Sequence, residues 1–126
     1  MPTKSNILIV DDDTDIRNVL RLLLQERYEV SEAADGSAAV EYLRGNPDTD
    51  LVILDVMMPG MNGYEATRAI RAGNHPDAAT IPIIAMTASA FSEDVQEALE
   101  AGMDAYIPKP VDMDVLCQTI CSLLKR

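Results

Sequence analysis

The sequence predicts an α/β domain built on a doubly wound, five-stranded parallel sheet with helices on both faces. Three observations lead there. Five short runs read as strands, at Ile7–Val10, Glu29–Ala33, Leu51–Leu54, Ile81–Met86 and Ala105–Ile107. Each is followed by a segment with helical spacing, and such alternation builds parallel sheets. The 126 residues are one domain's length, enough to bury roughly two thirds of the unfolded surface around one core.

Taken in order, the first run, Ile-Leu-Ile-Val, lacks polar alternation, as do the third and fourth. These three strands are therefore expected in the middle of the sheet, covered on both faces. The segment after the first run sets Ile16, Val19, Leu20, Leu23 and Leu24 on one helical stripe, with Leu22 off it. Gly45, Gly73 and Gly102 each close a helical pattern, a place suited to a residue that tolerates the left-handed cap. The last segment aligns Val115, Leu116, Ile120, Leu123 and Leu124. Right-handed crossovers with a reversal after the first strand give the order 2-1-3-4-5, the flavodoxin-like arrangement. In such sheets ligands bind beyond the carboxyl ends of the strands, where the winding reverses.

Composition narrows the function. Hydrophobic residues make up 48% and charged residues 25%, which is globular rather than disordered. No apolar run approaches the roughly 20 residues of a membrane span, and no basic-then-apolar leader follows Met1, so no membrane insertion and a cytoplasmic location are expected. A net charge of −11 argues against direct nucleic-acid binding, which depends on Lys and Arg displacing counterions. Cys117 and Cys121 read as reduced, helix-packing thiols.

The rim predicted to bind ligand is chemically loaded. Asp11, Asp12 and Asp13 follow the first strand, Asp55 the third, Thr87 the fourth, and Lys109 with Pro110 the fifth. An Asp before a helix is commonly an N-cap, and a Thr after a strand a turn residue. All of them falling on one rim is hard to reconcile with those separate roles. Lys109 is one of three lysines; the others, Lys4 and Lys125, lie near the termini. Its isolation beside an apolar strand points to a counter-charge for carboxylates or phosphate. Either isomer of the Lys109–Pro110 bond is open.

With these residues in view, the chain resembles a receiver domain of two-component response regulators, over nearly its whole length. The resemblance rests on Asp11-Asp12, on Asp55 in Leu-Asp-Val-Met-Met-Pro-Gly-Met-Asn-Gly, on Thr87-Ala88 and on Lys109-Pro110. It implies that Asp55 accepts a phosphoryl group from a histidine kinase or histidine phosphotransfer protein. It further implies that Asp11, Asp12, Asp55 and the Met57 backbone carbonyl hold Mg²⁺ or Mn²⁺, that Lys109 contacts the phosphoryl group, and that Thr87 and Tyr106 form the switch pair. Met57 and Ser89 are then lifetime-modulating positions.

The chemistry of the residues agrees. Mg²⁺ takes hard oxygen ligands and removes the repulsion among crowded carboxylates. Phosphoryl transfer needs mainly positioning and charge stabilisation, within reach of a carboxylate nucleophile, a cation and one lysine. Asp13 reads as a first-turn or loop acid with at most a supporting electrostatic role, with Asp12-Asp13 kept as the alternative metal pair. Phe91 opens the fourth helix, His75 reads as a loop residue, and Met58 and Met61 as gap-fillers near Asp55. Leu22 is a candidate contact for a kinase helix pair. Nothing after the fifth helix resembles a DNA-binding module, so the expectation is a single domain over residues 1–126. It would act through a downstream protein target, alone or as part of a hybrid kinase or larger regulator.

Two rivals are weaker. A haloacid-dehalogenase-like phosphohydrolase would use Asp11 as its nucleophile, but Asp15 stands where that motif wants Thr or Val, and the chain is short for its cap. A nucleotide- or flavin-binding module would need glycines after the first strand, where this chain has acids that repel phosphate.

Overall fold

The structure, a computed structural model, describes residues 5–56, 62–73, 80–87, 92–108 and 111–124, with the side chains of 92–95 outside that set. Strands β1 (Asn6–Val10), β2 (Glu29–Ala33), β3 (Leu51–Asp55), β4 (Ile83–Thr87) and β5 (Ala105–Pro108) alternate with helices α1 (Thr14–Leu24), α2 (Gly36–Gly45), α3 (Gly63–Arg71), α4 (Ser92–Ala101) and α5 (Met113–Leu124). The strands pair in parallel in the order β2-β1-β3-β4-β5, as expected. The strand order reverses once, after β1, and the switch point lies beyond the carboxyl ends of β1 and β3.

The pleat divides the core in two. Leu8, Val10, Val52, Leu54, Ile83 and Ala85 face one way, into a cluster with Ala39, Leu43, Ala66, Ile70 and Ala98 from α2, α3 and α4. Ile7, Ile9, Leu51, Ile53, Ile84 and Met86 face the other way, against Leu20 and Leu24 of α1 and Leu116, Ile120 and Leu123 of α5. Residues of both parities on β1, β3 and β4 are fully covered, which explains why those runs carry no polar alternation.

Two expectations need correction. In α1 and α5 the buried stripe is narrower than the apolar pattern: Val19, Leu23 and Val115 are about half exposed, at 53%, 52% and 46%. A helix lying on a sheet buries only the positions nearest its contact line, and Leu20 with Leu24, or Leu116 with Ile120, fill it. Second, among the described glycines only Gly102 has a positive φ, 105°. Gly45 is the last residue of α2, whose cap is Asn46, with the Asn46 side-chain amide donating to the Tyr42 carbonyl at 2.8 Å. In α3 the cap is Ala72, its N–H reaching Arg68 and Ile70, so Gly73 needs no left-handed turn.

Strand ends also shift. β4 begins at Ile83 rather than Ile81, because Pro82 has no N–H to give and the Ile81 carbonyl accepts from Arg71 Nη1 at 2.6 Å. Arg71 also donates to the Gly102 carbonyl through Nε (3.1 Å) and Nη2 (2.6 Å) and pairs with Asp104 at 2.9 Å. Asp104 in turn accepts the Ile83 N–H at 2.9 Å. One side chain thereby ties the end of α3 to the α4–β5 turn and the start of β4.

Candidate functional site

Asp11 is the first residue beyond β1, and Asp55 is the last residue of β3. Because β1 and β3 are paired with Val10 opposite Leu54, the ladder delivers the two acids side by side at the switch point. Both are buried, Asp11 at 0% and Asp55 at 4% exposure, whereas Asp12 is exposed. Carboxylate oxygens of Asp11, Asp12 and Asp55 lie within 4.8 Å of one another. Unit charges at that separation repel by about 3 kcal/mol or more per pair at a protein surface, before solvent screens Asp12. Three hard oxygen donors, two of them held in place by burial, suit a small dication such as Mg²⁺ and offer nothing to a soft metal. The donor set therefore fits the ion.

Asp13 stands apart from this cluster. It is the N-cap of α1, and its Oδ1 accepts the N–H groups of Asp15 (2.9 Å) and Ile16 (3.4 Å). That is the structural role expected of it. The Asp13 N–H donates to Asp11 Oδ1 at 2.9 Å, so the cap and the site acid support each other.

Around the acids, backbone approach is close. A Cβ on Gly63 would fall 2.6 Å from the Asp55 carbonyl oxygen and 2.7 Å from Val56 Cα, closer than real atoms come. Glycine at the first turn of α3 thus lets that helix start against the Asp55 backbone, with the Gly63 N–H donating to the Val56 carbonyl at 2.9 Å. Asn62 and Glu65 cap the same end reciprocally, and Thr67 Oγ1 donates to the Gly63 carbonyl at 2.8 Å. Apart from the motif that contains it, Gly63 gave no signal of this role.

Thr87 is buried, 8% exposed, at the carboxyl end of β4, one residue beyond Met86, the register partner of Asp55. In the adjoining β5, Tyr106 pairs with Ala85 and Pro108 with Thr87. Tyr106 therefore shares a sheet face with Thr87, one pleat back, and is 40% exposed. Met57, Met58, Met61, His75, Ala88, Ser89, Phe91, Lys109 and Pro110, together with the terminal Lys4 and Lys125, lie outside the described residues.

On the opposite side of the sheet from Tyr106, Cys117 and Cys121 are half-buried free thiols of α5. Cys121 Sγ and the Tyr28 hydroxyl are 3.7 Å apart, and burial, with that contact and the nearby thiols, pushes the phenol up to about 12. Sequence reasoning also missed Arg17 and Glu32, an ion pair 3.1 Å long beside the acids.

A carboxylate trio at the switch point of a 2-1-3-4-5 sheet, with a buried hydroxyl on the neighbouring strand, suits a cation rather than the phosphates of a nucleotide. Residues 7–121 match the response regulator receiver domain family, and the chain belongs to that family: it is a receiver domain of two-component systems. It is 42% identical over 121 residues to the regulatory protein VanRB of Enterococcus faecalis, covering 95% of this chain and 52% of that protein. Chemotaxis protein CheY4 of Vibrio cholerae superposes with a TM-score of 0.90 at 32% identity, covering 97% of this chain and all of that one. The receiver domain of sensor histidine kinase PA1611 of Pseudomonas aeruginosa PAO1, with a magnesium ion coordinated in its active site cleft, matches at 32% identity and a TM-score of 0.88, covering 98% and 100%. The chain spans about half the length of such regulators, and 7% of the plant Histidine kinase 1 it also matches. Relatives thus include both response regulators and kinase-borne receivers, and the phosphohydrolase alternative finds no support. No described helix is long and apolar enough to cross a membrane.

Proposed function

We propose that the chain is a phosphorylation-driven switch whose acceptor is Asp55. The carrying observation is the trio of Asp11, Asp12 and Asp55, gathered within 4.8 Å at the carboxyl ends of β1 and β3. An Asp55 carboxylate oxygen attacks phosphorus of a partner's phosphohistidine; the new O–P bond forms as the P–N bond breaks, and the imidazole leaves and takes a proton. Mg²⁺, or Mn²⁺, when bound neutralises charge on the transferring oxygens. Asp11, Asp12, Asp55 and the Met57 carbonyl would hold that ion, with Asp11 the most deeply buried of the three acids.

Lys109 contacts the phosphoryl group. Thr87 turns its hydroxyl toward the added charge, and Tyr106 follows into the space released on the same sheet face, which alters the α4–β5 surface. Met57 and Ser89 tune access of water and so the lifetime. The chain catalyses only its own phosphorylation and slow dephosphorylation. A histidine kinase or histidine phosphotransfer protein supplies the phosphoryl group, a downstream protein target reads the result, and nucleic acid is not contacted directly. The kinase-borne relatives support a kinase partner.

The test is incubation with a small-molecule phosphodonor and Mg²⁺, followed by intact-mass analysis. One alkali-labile phosphoryl group, absent when a chelator replaces Mg²⁺, is expected. Sustained turnover of phosphomonoesters would contradict the reading.

A further inference from the structure

We infer that Arg17 is a positioning residue for the divalent-cation site, acting through the backbone of Asp11. The inference rests on the reading of Asp11, Asp12 and Asp55 as that site.

Arg17 lies one turn into α1, with its side chain 14% exposed although it carries a full charge. Its Nη1 donates to the Asp11 carbonyl at 2.5 Å, and its Nε donates to Glu32 Oε1 of β2 at 3.1 Å. A longer contact joins Nη2 to Thr14 Oγ1 at 3.4 Å. Glu32 is itself steadied by Arg21, whose Nη1 meets Oε2 at 2.6 Å. The Asp11 N–H donates to the Ala33 carbonyl at 3.2 Å, and Asp11 Oδ1 accepts from the Asp13 amide. Asp11 is therefore held at its amide, its carbonyl and one carboxylate oxygen. The planar fork of an arginine can bridge a carbonyl and a carboxylate at once, which a lysine ammonium does not reproduce.

Charge and geometry make opposite demands here, so their effects separate by sign. A guanidinium beside the site repels a second cation, and if Arg17 acted by charge alone its removal would tighten Mg²⁺ binding. If it acts by holding Asp11, its removal loosens binding even though a positive charge has gone. Partners that orient metal ligands typically alter affinity by about 10- to 100-fold. Acting through the backbone places Arg17 near the lower end.

The experiment is calorimetric Mg²⁺ titration of the unmodified chain and of Arg17→Ala, Arg17→Lys, Arg21→Ala and Asp11→Asn, with thermal unfolding in chelator to read the fold separately. Mg²⁺ binding is expected to weaken about tenfold in both Arg17 variants and to stay within about twofold in Arg21→Ala. Unchanged or tighter binding in Arg17→Ala and unchanged binding in Arg17→Lys would overturn the inference while leaving the site reading intact. A loss of melting temperature with the affinity preserved would overturn it too, assigning Arg17 to the fold alone. Absence of saturable binding in the unmodified chain, or its persistence in Asp11→Asn, would instead bring down the site reading and the inference with it. Should Arg17→Ala fail to fold, Arg17→Lys decides.

Discussion

Asp11, Asp12 and Asp13 are chemically identical neighbours with three different environments. Asp11 is buried and held on several sides, Asp12 is exposed but still within reach of Asp55, and Asp13 turns away to cap α1. The difference was partly legible, because a helix start needs an acceptor where Asp13 stands. Replacing Asp13 with Ala should cost about 1 kcal/mol, the usual value of a lost N-cap, with phosphoryl incorporation retained. Urea unfolding and intact mass read the two separately. Arg17 was not legible, since its bonds to Asp11 and Glu32 join segments with no shared periodicity. Tyr28 offers a pH test at the same scale. Its phenol is raised in the folded chain, so the stability it contributes is present below about pH 10 and is lost as pH rises through about 12. Unfolding free energy measured across that window should fall less steeply in Tyr28→Phe than in the unmodified chain.

The order, direction and central placement of the strands were legible at the scale of elements because buried parallel strands must be apolar on both faces. Strand ends were not, since they depend on tertiary hydrogen bonds such as the one Arg71 makes to the Ile81 carbonyl. The buried stripe of α1 is narrower than its apolar pattern because Val19 and Leu23 are apolar yet lie outside the contact line. The α3 start is where an element touches the chemistry. Gly63→Ala must push that helix off the Asp55 carbonyl, and overpacking of this kind costs about 1–3 kcal/mol. Chemical denaturation should show that loss together with slower phosphorylation, because Asp55 moves with the backbone that Gly63 touches.

The whole molecule combines an acidic surface, with a net charge of −11, and an exposed apolar strip on α1 formed by Val19, Leu22 and Leu23. Donors of different size separate the chemistry from recognition. Leu22→Glu should slow phosphotransfer from a histidine kinase or phosphotransfer protein while leaving labelling by a small phosphodonor unchanged, as followed by radiolabel transfer and intact mass; equal rates from both donors would remove α1 from the docking surface. The central claim concerns Asp55, and it is tested most directly by locating the phosphoryl group. Borohydride reduces an aspartyl phosphate to homoserine, which tandem mass spectrometry of the digested chain assigns to a position. The account predicts homoserine at position 55, and none when a chelator replaces Mg²⁺ during labelling or in Asp55→Ala. Homoserine at position 11, 12 or 13, or labelling that survives in Asp55→Ala, would contradict it.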